Sequence, residues 1–118
     1  MKTNNKTIGN LGEKIASDYL VHEGYNIMES NFRHKTGEID LICKDGEYIV
    51  FIEVKTRNSN YYGEPAEAVD YRKRLKITRT AELYIMKKKL VNTNFRFDIV
   101  EIMLSKDTYK INLIKNAF

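Results

Sequence analysis

Tryptophan is absent from this chain of 118 residues, and cysteine and proline occur once each. A lone cysteine excludes an internal disulfide and any metal centre built from thiolates. Cys43, set in Asp40-Leu41-Ile42-Cys43, reads instead as a small buried side chain in a protein of the reducing cytoplasm. Long apolar runs are missing too: the longest, Ile49 to Ile52, falls far short of the roughly 20 residues a membrane span needs. The stretch from Met1 to Thr7 lacks the apolar segment of an export signal, so a cytoplasmic location and no membrane partner are expected. No repeat, low-complexity tract or internal linker divides the chain, and residues 1–118 are expected to form one domain. At this length folding buries about two thirds of the unfolded surface, enough for a core without a disulfide or structural metal.

Charge is plentiful. Twenty Lys and Arg against 16 Asp and Glu give a net +4, a weak pointer to a polyanionic partner until the charges are located. Residues 1–57 carry 8 basic and 9 acidic groups, whereas residues 58–90 carry 8 and 4.

Apolar residues at Leu11, Ile15, Ala16, Tyr19 and Leu20 predict a helix from Asn10 to Glu23, stopped by Gly24. Tyr25 to Met28 reads as a short strand that enters a polar loop, Ser30 to Thr36. Glu38 to Cys43 and Tyr48 to Val54 read as two strands joined at Asp45-Gly46, a hairpin turn signal. The second of these is apolar at four consecutive positions, as expected of a strand covered on both faces in the centre of a sheet. Pro65 is placed to open a helix that reaches about Lys89 with a break near Asp70 and Tyr71. Phe95 to Leu104 and Tyr109 to Ile114 close the chain as strands. The sum is an α/β domain.

Glu53 and Lys55 stand two apart on a strand and leave the same face, as do Glu38 and Asp40 on the preceding strand. Glu-x-Lys alone means little, since 10 Glu and 14 Lys produce about one such pair by chance. The hairpin decides whether the two pairs meet. With Lys44 opposite Glu47, Glu38 falls opposite Glu53 and Asp40 is diagonal to it. With a loop two residues longer, Asp40 moves directly opposite Glu53, and an odd loop sends Asp40 to the other face. Gathered carboxylates repel one another, and a divalent cation offsets this, because Mg²⁺ is usually held by one or two carboxylates plus water and phosphate oxygens. A lysine beside such an ion is suited to orienting an attacking water and stabilising charge on a phosphate.

Gly37-Glu38-Ile39-Asp40-Leu41-Ile42 followed by Val50-Phe51-Ile52-Glu53-Val54-Lys55-Thr56-Arg57 resembles the core motif of the YraN-like family of small bacterial proteins. Gly9 with Gly12-Glu13, Asn31 with Arg33, Tyr62-Gly63, Ala68-Val69, Lys73 and Arg96-Phe97-Asp98 also match, while Tyr71 stands where many relatives have Pro. The resemblance implies a restriction-endonuclease-like fold, a central mixed sheet of about five strands flanked by helices, related to Holliday-junction resolvases. It further implies that Asp40 and Glu53, with the Val54 backbone carbonyl, hold Mg²⁺ or Mn²⁺, that Lys55 is the catalytic lysine, and that Glu13 approaches from the first helix. DNA, branched DNA included, is the implied substrate, and a homodimer is implied because resolvases cut two strands. A nuclease fold that binds nucleic acid without cutting it is the alternative.

Plainer readings stand beside these. Glu13 lies three residues after Asn10, the spacing of a capping box. Glu53 and Lys55 alone form a strand-surface ion pair worth about 0–1 kcal/mol. Glu38 ranks below Asp40, Asp98 is expected to pair with Arg96 or Arg57, and His22 and His34 have no partner at metal-ligand spacing. Between Arg72 and Lys89, eight basic residues face one acid, Glu82. So one-sided a helix suggests a surface that tracks a phosphate backbone, with Arg72, Lys73, Arg74, Lys76 and Arg79 as contacts, Lys73 nearest the catalytic site, and Arg33, Lys35 and Arg57 in support. Tyr61 and Tyr62 are candidates for stacking on bases.

Overall fold

The computed structural model describes residues 5–58 and 70–118, with side chains from Ile8 onward. Along the chain run α1 (Asn5–His22), β1 (Asn26–His34), β2 (Gly37–Asp45), β3 (Tyr48–Asn58), α2 (Tyr71–Lys87), β4 (Asn94–Leu104) and β5 (Tyr109–Ile114). The sheet order is β1-β2-β3-β4-β5, which puts the apolar strand β3 in the centre as its composition requires. All neighbours are antiparallel except β3 and β4, which run parallel. A parallel pair needs a crossover, and α2 is the helix between those two strands. The mixed five-stranded α/β architecture is the one expected.

Alternation along the central strands sorts the core into two layers. Val50, Ile52, Leu41, Cys43, Val100 and Ile102 meet Ala16 and Leu20 of α1. Ile49, Phe51, Ile42, Ile39 and Ile99 meet Ile77, Ala81 and Tyr84 of α2 on the other face. At the end of the sheet where β4 begins, Arg96 donates to Asp98 (2.9 Å), Asp45 (2.9 Å) and the Tyr25 hydroxyl (2.8 Å). Asp98 is fully buried and also accepts from the Asn116 backbone N–H, so of its two expected partners it takes Arg96.

Several boundaries differ from the sequence reading. The first helix begins at Asn5, more than a turn before Asn10, so Asn10 is no cap and the capping-box reading of Glu13 fails. Its end is as expected: Gly24 adopts φ +94° and the Tyr25 N–H returns to the Leu20 carbonyl. The stretch Ser30 to Thr36 is not a loop as far as His34. It continues β1, paired with β2 through a bulge between Ile27 and Glu29 and anchored by the buried Phe32. β3 likewise runs beyond Val54 to Asn58, because β4 pairs with it along that whole length and satisfies its backbone. α2 starts at Tyr71 with Asp70 as N-cap, accepting from the Lys73 N–H at 2.9 Å. Pro65, Tyr61 and Tyr62 lie outside the described residues.

Candidate active site

The hairpin joining β2 and β3 sets Asp45 opposite Tyr48 and Lys44 opposite Ile49, with Gly46 at φ +59° in the turn. Of the even registers this is the one that brings Asp40 level with Glu53. Pairing stops at Leu41 and Ile52, one step before those two residues. Beyond that point the strands part, and the Asp40 carboxylate takes the place of a ladder partner by accepting the Val54 N–H at 2.8 Å. The opening is accompanied by a roll of β2. Ile39 packs in the α2 layer and Leu41 in the α1 layer, although strict alternation would place both on one face. Asn31, with φ 53°, falls on β1 between the pairs Ser30–Leu41 and Phe32–Ile39, where a short amide side chain tolerates the left-handed conformation.

A fork at the end of a sheet is open to both faces, and charged groups enter it from each. From the α1 face comes Glu13, half-buried and close enough to Asp40, Glu38 and Glu53 for their charges to act on it. With its amide oriented to satisfy the surrounding acceptors, Asn31 donates to Glu13 Oε1 (3.1 Å) and to Glu38 Oε1 (3.0 Å). Arg33 reaches Glu38 from outside at 3.4 Å. From the α2 face comes Lys73, whose Nζ lies 2.7 Å from Glu53 Oε1, while Lys55 Nζ is 3.4 Å from the same oxygen. The Glu53 side chain is only 8% exposed and that of Lys55 18%, so this is not the solvated surface pair of the plain reading. A pocket of about 270 Å³ between Ile8, Gly9 and Glu13 on α1 and Val54, Lys55 and Thr56 on β3 opens onto the cluster.

Burial, then repulsion from Glu53, Glu13 and Glu38, pushes the Asp40 pKa up to about 7 despite the stabilising Val54 N–H. Burial, then Glu38 and Glu53, raise Glu13 against the opposing charge of Arg33. Burial and the adjacent Lys73 ammonium lower Lys55. Burial is the largest single influence on Lys73 and works against its charge, but the contacts with Glu53 and Lys55 and the charges of Glu53 and Asp40 together outweigh it and raise its pKa. Every ligating atom the cluster offers is oxygen, which suits a hard cation. Among the described residues no three His, Cys, Asp or Glu side chains are arranged to hold a metal ion by themselves.

Glu13, Asp40, Glu53, Lys55 and Val54 are thus brought together as the sequence reading requires, and Lys73 joins them. Arg33, Lys35, Arg72, Lys76 and Arg79 are exposed near or along α2 and β1. Arg74 is less free than expected, its guanidinium lying 5.5 Å over the Phe118 ring, and Arg57 is half-buried on β3 opposite Met103. Sequence reasoning missed the bridging role of Asn31, whose signals were its match, with Arg33, to the family pattern and its place in a polar stretch. It also treated Lys73 as a phosphate contact and not as the partner of Glu53.

A family profile described as "Uncharacterised protein family UPF0102" matches residues 12–102, the span from the Gly12-Glu13 turn of α1 to β4. The chain belongs to UPF0102. This is the YraN-like group that the motif resembles. A UPF0102 protein of Clostridium kluyveri is 54% identical over the whole of this chain and 98% of its own length. One from Clostridium tetani is 52% identical over the same shares, and one from Clostridium botulinum strain Loch Maree is 56% identical over 97% of this chain and 95% of its own. The matched UPF0102 span contains all the residues of the fork.

Proposed function

We propose that this protein is a Mg²⁺-dependent endonuclease that hydrolyses phosphodiester bonds in DNA, branched DNA included. The observation that carries the reading is the fork itself. The β2–β3 ladder is broken where Asp40 and Glu53 stand level, and both helices direct charged side chains into the gap. A fold gains no stability from four carboxylates around a broken ladder, so a bound cation is the simplest reason for the arrangement. Asp40, Glu53 and the Val54 carbonyl would hold Mg²⁺, or Mn²⁺ in its place. There it supplies Lewis-acid polarisation of the phosphate and a more acidic water. Lys55, with its lowered pKa, is placed to hold or accept the proton of an attacking water, and its charged form to stabilise the growing negative charge on phosphate oxygens. Asn31 ties Glu13 and Glu38 together, and the Val54 N–H fixes the Asp40 carboxyl in position.

A second reading is favoured by one contact. Lys73 at 2.7 Å already neutralises Glu53, which suits a nucleic-acid-binding module that keeps the fold without turnover. Incubation with linear, nicked and four-way-junction DNA in Mg²⁺ or Mn²⁺, beside Asp40→Ala and Lys55→Ala, separates the two. Cleavage by the wild type that both substitutions abolish is expected. Failure of the wild type to cut any substrate leaves the binding module, and cutting that survives both substitutions removes the site assignment.

A further inference from the structure

A groove of about 380 Å³ runs between the end of β1 and the last turns of α2, lined by Phe32, Arg33, His34, Leu83, Met86 and Lys87. None of these is acidic. The floor is apolar and aromatic and the rim is basic, with Lys87 Nζ 6.0 Å from the Phe32 ring centre. Met86 is 73% exposed on a helix whose other exposed side chains are mostly charged. Its volume is in the range of small-ligand pockets, about 300–1,000 Å³, which combine an apolar lining with a few directing polar groups.

Two links tie this groove to the fork. Along α2, Lys76, Arg79, Leu83 and Met86 follow one another at spacings of three and four, so they form one stripe, basic toward the fork and apolar at the groove. Along β1, Arg33 pairs with Glu38, and Glu38 shares the Asn31 amide with Glu13 of the fork. From Lys76 to Met86 the stripe covers about 15 Å of helix, so a strand lying in the fork and following it reaches the groove within a few nucleotides. We propose that the groove receives one unstacked nucleotide of a single strand adjoining the scissile phosphate. The base lies against Met86, Leu83 and Phe32, and its phosphate lies between Arg33 and Lys87. The inference rests on the DNA reading of the fork and adds to it a preference for substrates in which duplex and single strand meet.

The test uses the full chain without divalent cation, so that nothing is cut. Fluorescence anisotropy compares a blunt duplex with the same duplex carrying a single-stranded tail, for the wild type and for Met86→Ser with Lys87→Gln. Both residues are exposed, neither belongs to the fork, and unchanged circular dichroism and melting check that the variant folds. The wild type is expected to prefer the tailed duplex, and the variant to lose about tenfold on it while staying within about twofold on the blunt one, the scale of one lost base-stacking contact. A 2-aminopurine placed in the tail should change its emission on binding wild type and not on binding the variant. A variant that binds the tailed duplex as tightly as the wild type, or loses equally on both, overturns the groove and leaves the fork reading intact. A wild type that binds neither DNA overturns both. A concentration-dependent mass abolished by the substitutions assigns the groove to a second copy of the chain and overturns the nucleotide.

Discussion

At Asp40, burial and three neighbouring carboxylates act in the same direction, opposed by the Val54 N–H and by the Lys73 ammonium. Its folded pKa of about 7 lies above the ordinary 3.8, so between those values the folded protein binds the proton that the unfolded chain releases. Stability tied to this group is therefore fully present below about pH 4, is lost as pH rises toward 7, and stays lost above it. Asp40→Asn keeps an acceptor for Val54 without the charge. It should melt higher than the wild type at pH 8, by about 1–3 kcal/mol, and the gain should shrink toward zero at pH 4 in thermal scans across that range. Lys73 presents the opposite case, a cation occupying the carboxylate a metal would need. The Lys73 side chain is 39% exposed, so its pair with Glu53 is worth no more than about 1 kcal/mol. Lys73→Gln should accordingly tighten Mn²⁺ binding about fivefold, read by the loss of free Mn²⁺ signal in electron paramagnetic resonance. Weaker binding would mean that Lys73 organises Glu53 for the ion and does not compete with it.

Glu13 reaches the fork because α1 packs closely against β3, with Gly12 over the Thr56 side chain. A Cβ built on Gly12 would overlap Thr56 Oγ1 and come within 2.8 Å of Thr56 Cβ, and a β-branched side chain has little room to turn away. Alanine favours a helix interior over glycine by about 1 kcal/mol, yet here Gly12→Ala should destabilise by about 1–3 kcal/mol in urea titrations. Adding Thr56→Ala should recover part of the loss. At the other helix, Asp70→Ala removes the cap of α2 and should cost about 1 kcal/mol. How far the elements were legible follows the same physics. The central strands and β5 declared themselves because burial on both faces or simple alternation dictates their residues. β1 did so only in its first residues, up to Met28, because Ser30 to Thr36 is polar and its strand character comes from pairing with β2 and from one buried side chain, Phe32. The early start of α1 was hidden for a related reason, since Asn5 to Asn10 lacks the apolar spacing by which Leu11 to Leu20 is recognised.

The molecule as a whole separates its charges, with a carboxylate fork at one end of the sheet, a buried Arg96–Asp98–Asp45 network at the other, and the basic helix alongside. Asp40, Glu53 and Lys55 were legible as a set because strand periodicity and an even hairpin suffice to gather them. The position of Lys73 nearest the site was legible too, but its bond to Glu53 and the bridging place of Asn31 were not, because they depend on how α2 and β1 dock, which no local pattern encodes. The same docking decides which basic residues remain available to a polyanion. Counting every cation of α2 overstates the surface, since Lys73 holds Glu53 and Arg74 lies over Phe118. Arg72, Lys76 and Arg79 on α2, with Arg33 and Lys35 beside β1, remain exposed, consistent with four or five phosphate contacts. The logarithm of DNA affinity should then fall against the logarithm of salt with a slope of roughly −4, at about −0.9 per contact. Lys76→Gln with Arg79→Gln should flatten that slope by about 2 units. Arg74→Gln should leave it unchanged, although its exposed neighbours on the same helix would make it look equivalent by sequence. If all three substitutions flattened the slope alike, the partner would be following the general charge of the helix and not the surface that docking leaves open.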